Sequence, residues 1–207
     1  GVIDERVPFD PDNSAGEYDR TKAEASLEVQ AAVKKGLDAV IICPTGVIGP
    51  FDYRGSEMGE LLRGFMQKKP HLLINGAYDF VDVRDVAQGM VRAMKLGRCG
   101  EVYILSGEQI QLNQLKQLVQ KEMGFRTATF NIPLAIARWT AKVSPLYYRS
   151  THQTPKFTPY ALETVCSNSL ISHAKADREL GYHPRPLSQS VTDTIHWWKG
   201  EQFSGSV

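Results

Sequence analysis

Between Gly36 and Pro44 the chain reads Leu37-Asp38-Ala39-Val40-Ile41-Ile42-Cys43, a short apolar stretch rich in β-branched residues. A run of this length and make-up predicts a strand covered on both faces, as in a parallel sheet, and so places the chain in the α/β class. The strand is predicted to stop at Pro44, where Thr45-Gly46-Val47-Ile48-Gly49-Pro50 reads as a tight loop. Ligands of open α/β sheets sit beyond the carboxyl ends of strands, which makes this loop a candidate cofactor wall.

A helix is predicted just upstream, from about Tyr18 to Gly36, with Gly36 ending it in left-handed geometry. Residues four apart stack on one helix face, so Tyr18 and Lys22 point the same way, and Ala25, Val29 and Val33 continue the stripe. Such a stripe predicts a helix buried along most of its length, with a phenol and an ammonium left in a cleft. A free tyrosine has a pKa of about 10, too high for a base near neutrality, and a cation within ~4–6 Å stabilises its phenolate. Proton transfer is the chemistry that fits, although the spacing alone does not establish it.

The 207 residues carry a net charge of +1 and are 42% hydrophobic and 23% charged, an ordinary globular composition. Without Lys/Arg blocks a nucleic-acid partner is not expected. No apolar run approaches the ~18 residues of a membrane helix, and neither a membrane association nor a secretory signal is expected. Cys43, Cys99 and Cys166 are odd in number and lack C-x-x-C spacing, which reads as reduced thiols in a cytoplasmic protein. The five histidines show no ligand spacing, so no metal is expected.

Elsewhere the chain alternates in kind. Gly1 to Gly16 reads as a loop, Glu57 to Lys68 as a packing helix, and Leu72 to Ile74 as a short strand. The stretch from Gly76 to Val83 leads to Asp85, the expected cap of a helix from Val86 to about Lys95. A strand over Glu101 to Ser106 precedes a helix through Leu115, Leu118, Val119 and Met123, for which no Ser or Thr cap is evident. Ala128 to Ile132 reads as a strand and Pro133 opens an amphipathic segment. Ser144 to Pro159 is irregular and carries Tyr147, Tyr148, Arg149, His152 and Lys156, which either line a substrate pocket or cover the edge of the core. Helices near Tyr160–Cys166, Ala174–Leu180 (closed by Gly181) and Ser188–Lys199 complete the chain.

Five stretches in order carry a resemblance: Tyr18-x-x-x-Lys22, Pro44 to Pro50, Asp79 to Ala87, Gly100 to Gly107, and Lys175 to Pro184. Together they resemble the extended short-chain dehydrogenase/reductases of the NAD-dependent epimerase/dehydratase family. That resemblance implies a Rossmann-type NAD(P)-binding doubly wound sheet with a small mixed α/β substrate lobe. It assigns residues 1–50 and 76–107 to the cofactor domain, and 51–75 and 108–207 mainly to the substrate lobe. It implies that Tyr18 is the proton-relay acid/base, that Lys22 lowers its pKa and holds the nicotinamide ribose, and that Pro44, Thr45, Gly46 and Val47 face the nicotinamide. Tyr53, Arg54, Tyr78 and Tyr147 are the residues implied for substrate. A homodimer through the Tyr18 helix is also implied, with the apolar line of Leu27 and Ala31 either facing the partner or packing within the chain.

Two departures narrow the reading. Cys43 and Tyr78 stand where many nucleotide-sugar members carry arginine, which removes cations that face a diphosphate. Tyr78 to Asp85 is more similar to the dihydroflavonol-reductase-like branch, which reduces ketones or aldehydes. The family's Gly-rich pyrophosphate turn has no counterpart in these residues. The expectation is therefore a longer polypeptide, with on the order of a hundred residues of Gly-rich Rossmann half before Gly1.

The sequence thus predicts an NAD- or NADP-dependent oxidoreductase for a small carbonyl or alcohol. A nucleotide-sugar epimerase/dehydratase using the same tyrosine is the alternative. A non-catalytic member that senses a dinucleotide or a protein is the third reading.

Overall fold

A glycine at φ 103°, Gly36, turns the chain out of its first helix and into its first parallel strand. The computed structural model describes residues 1–14, 16–133, 136 and 169–200. The expected amphipathic segment after Pro133, the irregular stretch with Tyr147 and the helix near Tyr160–Cys166 lie outside the described residues. Elements are numbered along the chain.

Helix α1 spans Glu17–Val33, with Glu17 and Asp19 in the first turn where acidic groups favour the helix dipole. The expected burial along its length is not found, because Ala23 is its only buried residue among those described. Tyr18, Lys22 and Ala25 are exposed, and Val29 and Val33 are half-buried. A helix of this length is about 25 Å long. Strand β1 (Ile41–Pro44) pairs in parallel with β5 (Val102–Leu105) alone, from Ile41 opposite Val102 to Pro44 opposite Leu105. β1 is also shorter and less enclosed than its sequence predicts. Its residues are half-buried or exposed, and among the described residues no strand pairs with its second edge.

The stretch read as a tight loop after Pro44 holds a strand instead. β2 (Gly46–Ile48) runs parallel to β4 (Ala77–Asp82), with Gly46 opposite Phe80. A side chain on Gly46 would stand 3.0 Å from the Asp79 carbonyl oxygen and 3.2 Å from the Phe80 ring, so glycine permits this pairing. β6 (Glu108–Gln111) adds to the other edge of β4 in antiparallel sense. Its sequence, Glu-Gln-Ile-Gln, has a single apolar residue, and that residue, Ile110, is the buried one.

Helix α3 (Val83–Leu96) corrects a second expectation. Its cap is Asp82, which accepts from the Arg84 amide at 2.8 Å, because β4 continues to Asp82 and the helix starts at once. Asp85 falls inside the first turn, buried, and accepts from the Arg185 amide at 2.8 Å and its Nε at 3.0 Å.

Four further helices and two strands complete the described elements. α2 (Glu57–Phe65) is capped by Ser56, which accepts from the Gly59 amide at 3.0 Å. β3 (His71–Ile74) pairs in parallel with β7 (Thr129–Ile132). α4 (Leu112–Glu122) starts without Ser or Thr; the Gln114 side chain accepts from the Gln111 amide at 3.2 Å in its place. After α5 (Ala174–Leu180), ended by Gly181 at φ 62°, comes α6 (Leu187–Lys199).

The apolar side chains collect in two clusters. One joins Leu62, Phe65, Leu73, Leu115, Val119, Val191 and Ile195 from α2, β3, α4 and α6. The other joins Val86, Ala93, Tyr103, Leu105, Leu180 and Tyr182 around β5, α3 and α5. Each fully buried large side chain contributes roughly 1.5–3 kcal/mol relative to exposure. The result is a mixed α/β fold with parallel strand pairs, of the Rossmann-like type.

Candidate functional site

Tyr18 and Lys22 occupy the first turns of α1. The i, i+4 spacing brings the Lys22 ammonium to 5.5 Å from the centre of the Tyr18 ring. Tyr18 is 61% exposed, so the phenol meets solvent in this chain and not an enclosed cleft. The helix holds the pair by local bonds: the Thr21 hydroxyl donates to the Tyr18 carbonyl and the Ser26 hydroxyl to the Lys22 carbonyl, each at 2.9 Å. What this face offers chemically is a phenol and an ammonium side by side on one helix face.

The residues at the carboxyl end of β1 are held from below. Thr45 donates its hydroxyl to Asp79 Oδ1 at 2.6 Å, and the same oxygen accepts from the Gly107 amide at 2.8 Å. Asp79 thereby joins the chain after β1 to the chain after β5. Burial pushes its carboxyl above the ordinary range, against the two hydrogen bonds and the nearby His173 ring. A side chain at Gly107 would collide with the Phe80 carbonyl, so β4 lies directly against this turn.

Ser106 is fixed from three directions. Its hydroxyl donates to the Ile171 carbonyl at 3.1 Å, which leaves the contact with His173 Nδ1 at 2.9 Å to be donated by the imidazole. The Tyr182 hydroxyl donates to the Ser106 carbonyl at 3.2 Å, and burial raises the Tyr182 pKa well above its ordinary value. His173 in turn meets the edge of the Tyr182 ring at 5.6 Å.

Of the residues expected for substrate, Tyr53, Arg54 and Tyr78 are described. Tyr53 is 82% exposed and packs edge-on against Trp197 of α6, with ring centres 5.2 Å apart. Arg54 beside it is exposed. Tyr78 lies half-buried on β4, tilted against Phe80 at 5.5 Å, and Tyr147 is outside the described residues. Pro44 is exposed, whereas Thr45, Gly46 and Val47 are half-buried. Sequence reasoning gave no role to Asp79, Ser106, Gly107 or His173. The available signal was an aspartate and a glycine inside otherwise apolar strand-like stretches.

The curated sterol demethylase protein B of Methylococcus capsulatus is 29% identical over 194 residues, which are 93% of this chain and 58% of that protein. A dihydroflavonol 4-reductase-like protein of Synechocystis sp. is 26% identical over 192 residues, 91% of this chain and 56% of that protein. The chain thus spans a little over half the length of these curated relatives. Among solved structures, a nucleoside-diphosphate-sugar epimerase from Pseudomonas aeruginosa superposes with a TM-score of 0.74 at 20% identity, covering 92% of this chain and 58% of that one. That likeness concerns the fold. The family model described as NAD dependent epimerase/dehydratase matches residues 2–106, half of the chain, and the chain belongs to that family.

Proposed function

We propose that this chain is the catalytic-tyrosine portion of an NAD(P)-dependent oxidoreductase acting on a carbonyl/alcohol pair. The observation that carries the reading is the Lys22 ammonium 5.5 Å from the Tyr18 ring on one accessible helix face. A phenol and an ammonium on one face suit the hydroxyls of a nicotinamide ribose as hydrogen-bond partners. Lys22 and Tyr18 would hold that ribose, with Pro44, Thr45, Gly46 and Val47 against the nicotinamide. A bound nicotinamide supplies or accepts the hydride. Tyr18 gives its proton to the carbonyl oxygen in reduction and takes it from the alcohol in oxidation, and the Lys22 charge stabilises the phenolate between the two.

Tyr53, Arg54, Tyr78 and Tyr147 are the substrate-side residues of this reading. Residues 1–50 and 76–107 form its cofactor lobe, and 51–75 with 108–207 its substrate lobe. The two apolar clusters support that division, with α5 packing back onto the cofactor side. The second edge of β1, unpaired among the described residues, the exposed face of α1 and relatives of which this chain spans a little over half support a polypeptide that also supplies a Gly-rich half. Leu27 is exposed on α1 and Ala31 lies one turn further, which supports a homodimer through that helix. The free thiols of Cys43 and Cys99 support a cytoplasmic setting.

The test uses the full-length polypeptide with NADH or NADPH and a panel of ketones and aldehydes. Carbonyl-dependent oxidation of the cofactor is the expected result. Stabilisation by nucleotide diphosphates without such turnover would transfer the reading to a nucleotide-sugar epimerase or dehydratase. Dinucleotide binding with no turnover of any kind would leave a sensor.

A further inference from the structure

Asp79 is 4% exposed, yet one of its oxygens serves two different segments of the chain. Thr45 directly follows β1 and Gly107 lies two residues after β5, and these strands are paired in parallel. Both segments therefore leave the sheet at the same end, the carboxyl end where α/β sheets take their ligands. Gly46 and Gly107 flank β4 so closely that neither accepts a side chain without displacement. The neighbouring Ser106 is separately tied to Ile171, His173 and Tyr182. Together these contacts leave the Thr45 loop with Asp79 as its side-chain anchor to β4.

We propose that Asp79 is a positioning residue for dinucleotide binding: its carboxylate clamps the loop after β1 to the turn after β5 and so fixes the wall against which the nicotinamide end lies. The inference rests on the oxidoreductase reading above and names how its cofactor wall is held. Asp79 touches neither cofactor nor substrate and acts through Thr45. An asparagine at this position keeps an oxygen able to accept both hydrogen bonds, whereas alanine keeps none.

The experiment compares full-length wild type with Asp79→Ala and Asp79→Asn. Dissociation constants for NADH and NADPH are measured by fluorescence titration, and exchange of the Gly107 amide by hydrogen–deuterium exchange. For Asp79→Ala, the dissociation constant of the preferred dinucleotide should rise roughly tenfold, equivalent to one lost interaction of ordinary strength. The Gly107 amide should lose protection in parallel. The dinucleotide KM should rise with the affinity loss, while kcat at saturating cofactor stays within about threefold. Asp79→Asn should restore both affinity and protection. Unchanged affinity in Asp79→Ala, when wild type binds, would overturn the proposal alone. Absence of dinucleotide binding by wild type would overturn the oxidoreductase reading and the proposal with it. Should Asp79→Ala not fold, Asp79→Leu carries the test: it also lacks an acceptor, fills the same buried space, and should weaken dinucleotide binding and Gly107 protection together. Unchanged affinity in a folded Asp79→Leu variant would overturn the clamp.

Discussion

Arg84 and Asp193 lie 109 residues apart in sequence and are joined by a hydrogen bond of 2.7 Å between the Arg84 guanidinium and Asp193 Oδ2. Arg84 also holds Asp82, its helix cap, through Nε at 2.9 Å and a second nitrogen at 2.8 Å. All three side chains are nearly inaccessible, at 6% or less. One guanidinium therefore fastens the start of α3 to the middle of α6.

Removing one partner of a buried pair leaves an uncompensated charge and costs about 3–5 kcal/mol. Arg84→Ala in the full-length protein should lower unfolding free energy by about that amount, read from urea denaturation, and Asp193→Ala by less, because Asp82 still faces the guanidinium. The double variant should lose much less than the sum, because the two changes remove the same interaction. Additive losses would show that Arg84 and Asp193 act independently.

Two buried aspartates on β4 set opposing pH dependences. Burial raises the Asp79 carboxyl, so the native protein binds that proton more readily than the unfolded chain. This group therefore weighs against the fold as pH rises from the ordinary carboxylate range towards neutrality. Asp79→Asn lacks the titration, and its stability relative to wild type should improve across that window.

Asp82 behaves the other way. Burial pushes it up, but the Arg84 hydrogen bonds outweigh this and hold it below the ordinary range. Its contribution is present above the ordinary carboxylate range and is lost as pH falls through its lowered native value. Asp82→Asn should accordingly be most destabilising near neutrality and approach wild type in acid. Denaturant midpoints measured from about pH 7 down to about pH 2 decide both claims, and curves parallel to wild type would refute them.

Gly107 tests the close packing under the candidate site. Its backbone approaches Phe80 so closely that an added methyl collides with the Phe80 carbonyl. Backbone cannot swing aside as a flexible side chain can, so Gly107→Ala should cost about 1–3 kcal/mol by overpacking. Thermal unfolding of the variant at wild-type stability would show that the turn relaxes freely.

Much of the architecture could be read from local pattern. Gly36, Gly181 and the apolar spacing of Leu115, Val119, Val191 and Ile195 mark helix ends and inner faces, because left-handed turns and 3.6-residue stripes are local properties. Three features escaped that reasoning. β2 exists because Gly46 lets one backbone lie against Phe80, a contact between residues 34 apart in sequence. Asp85 was expected to cap α3, but strand β4 runs on to Asp82 and starts the helix earlier. The exposure of α1 depends on what the rest of the chain packs against it, which no stripe on the helix itself reports. At the candidate site, the spacing of Tyr18 and Lys22 was legible and their proximity follows from it. The Asp79 clamp was not, because its two donors come from distant loops.

The most direct measurement is steady-state kinetics of Tyr18→Phe in the full-length polypeptide, with NADH or NADPH and a carbonyl substrate that wild type reduces. The substitution deletes one oxygen from an exposed side chain and should leave thermal unfolding unchanged. General acid–base groups contribute about 10²–10⁴-fold, so kcat at saturating cofactor should fall by that factor. Wild-type kcat in a folded Tyr18→Phe variant would contradict the assignment of Tyr18 as the proton relay.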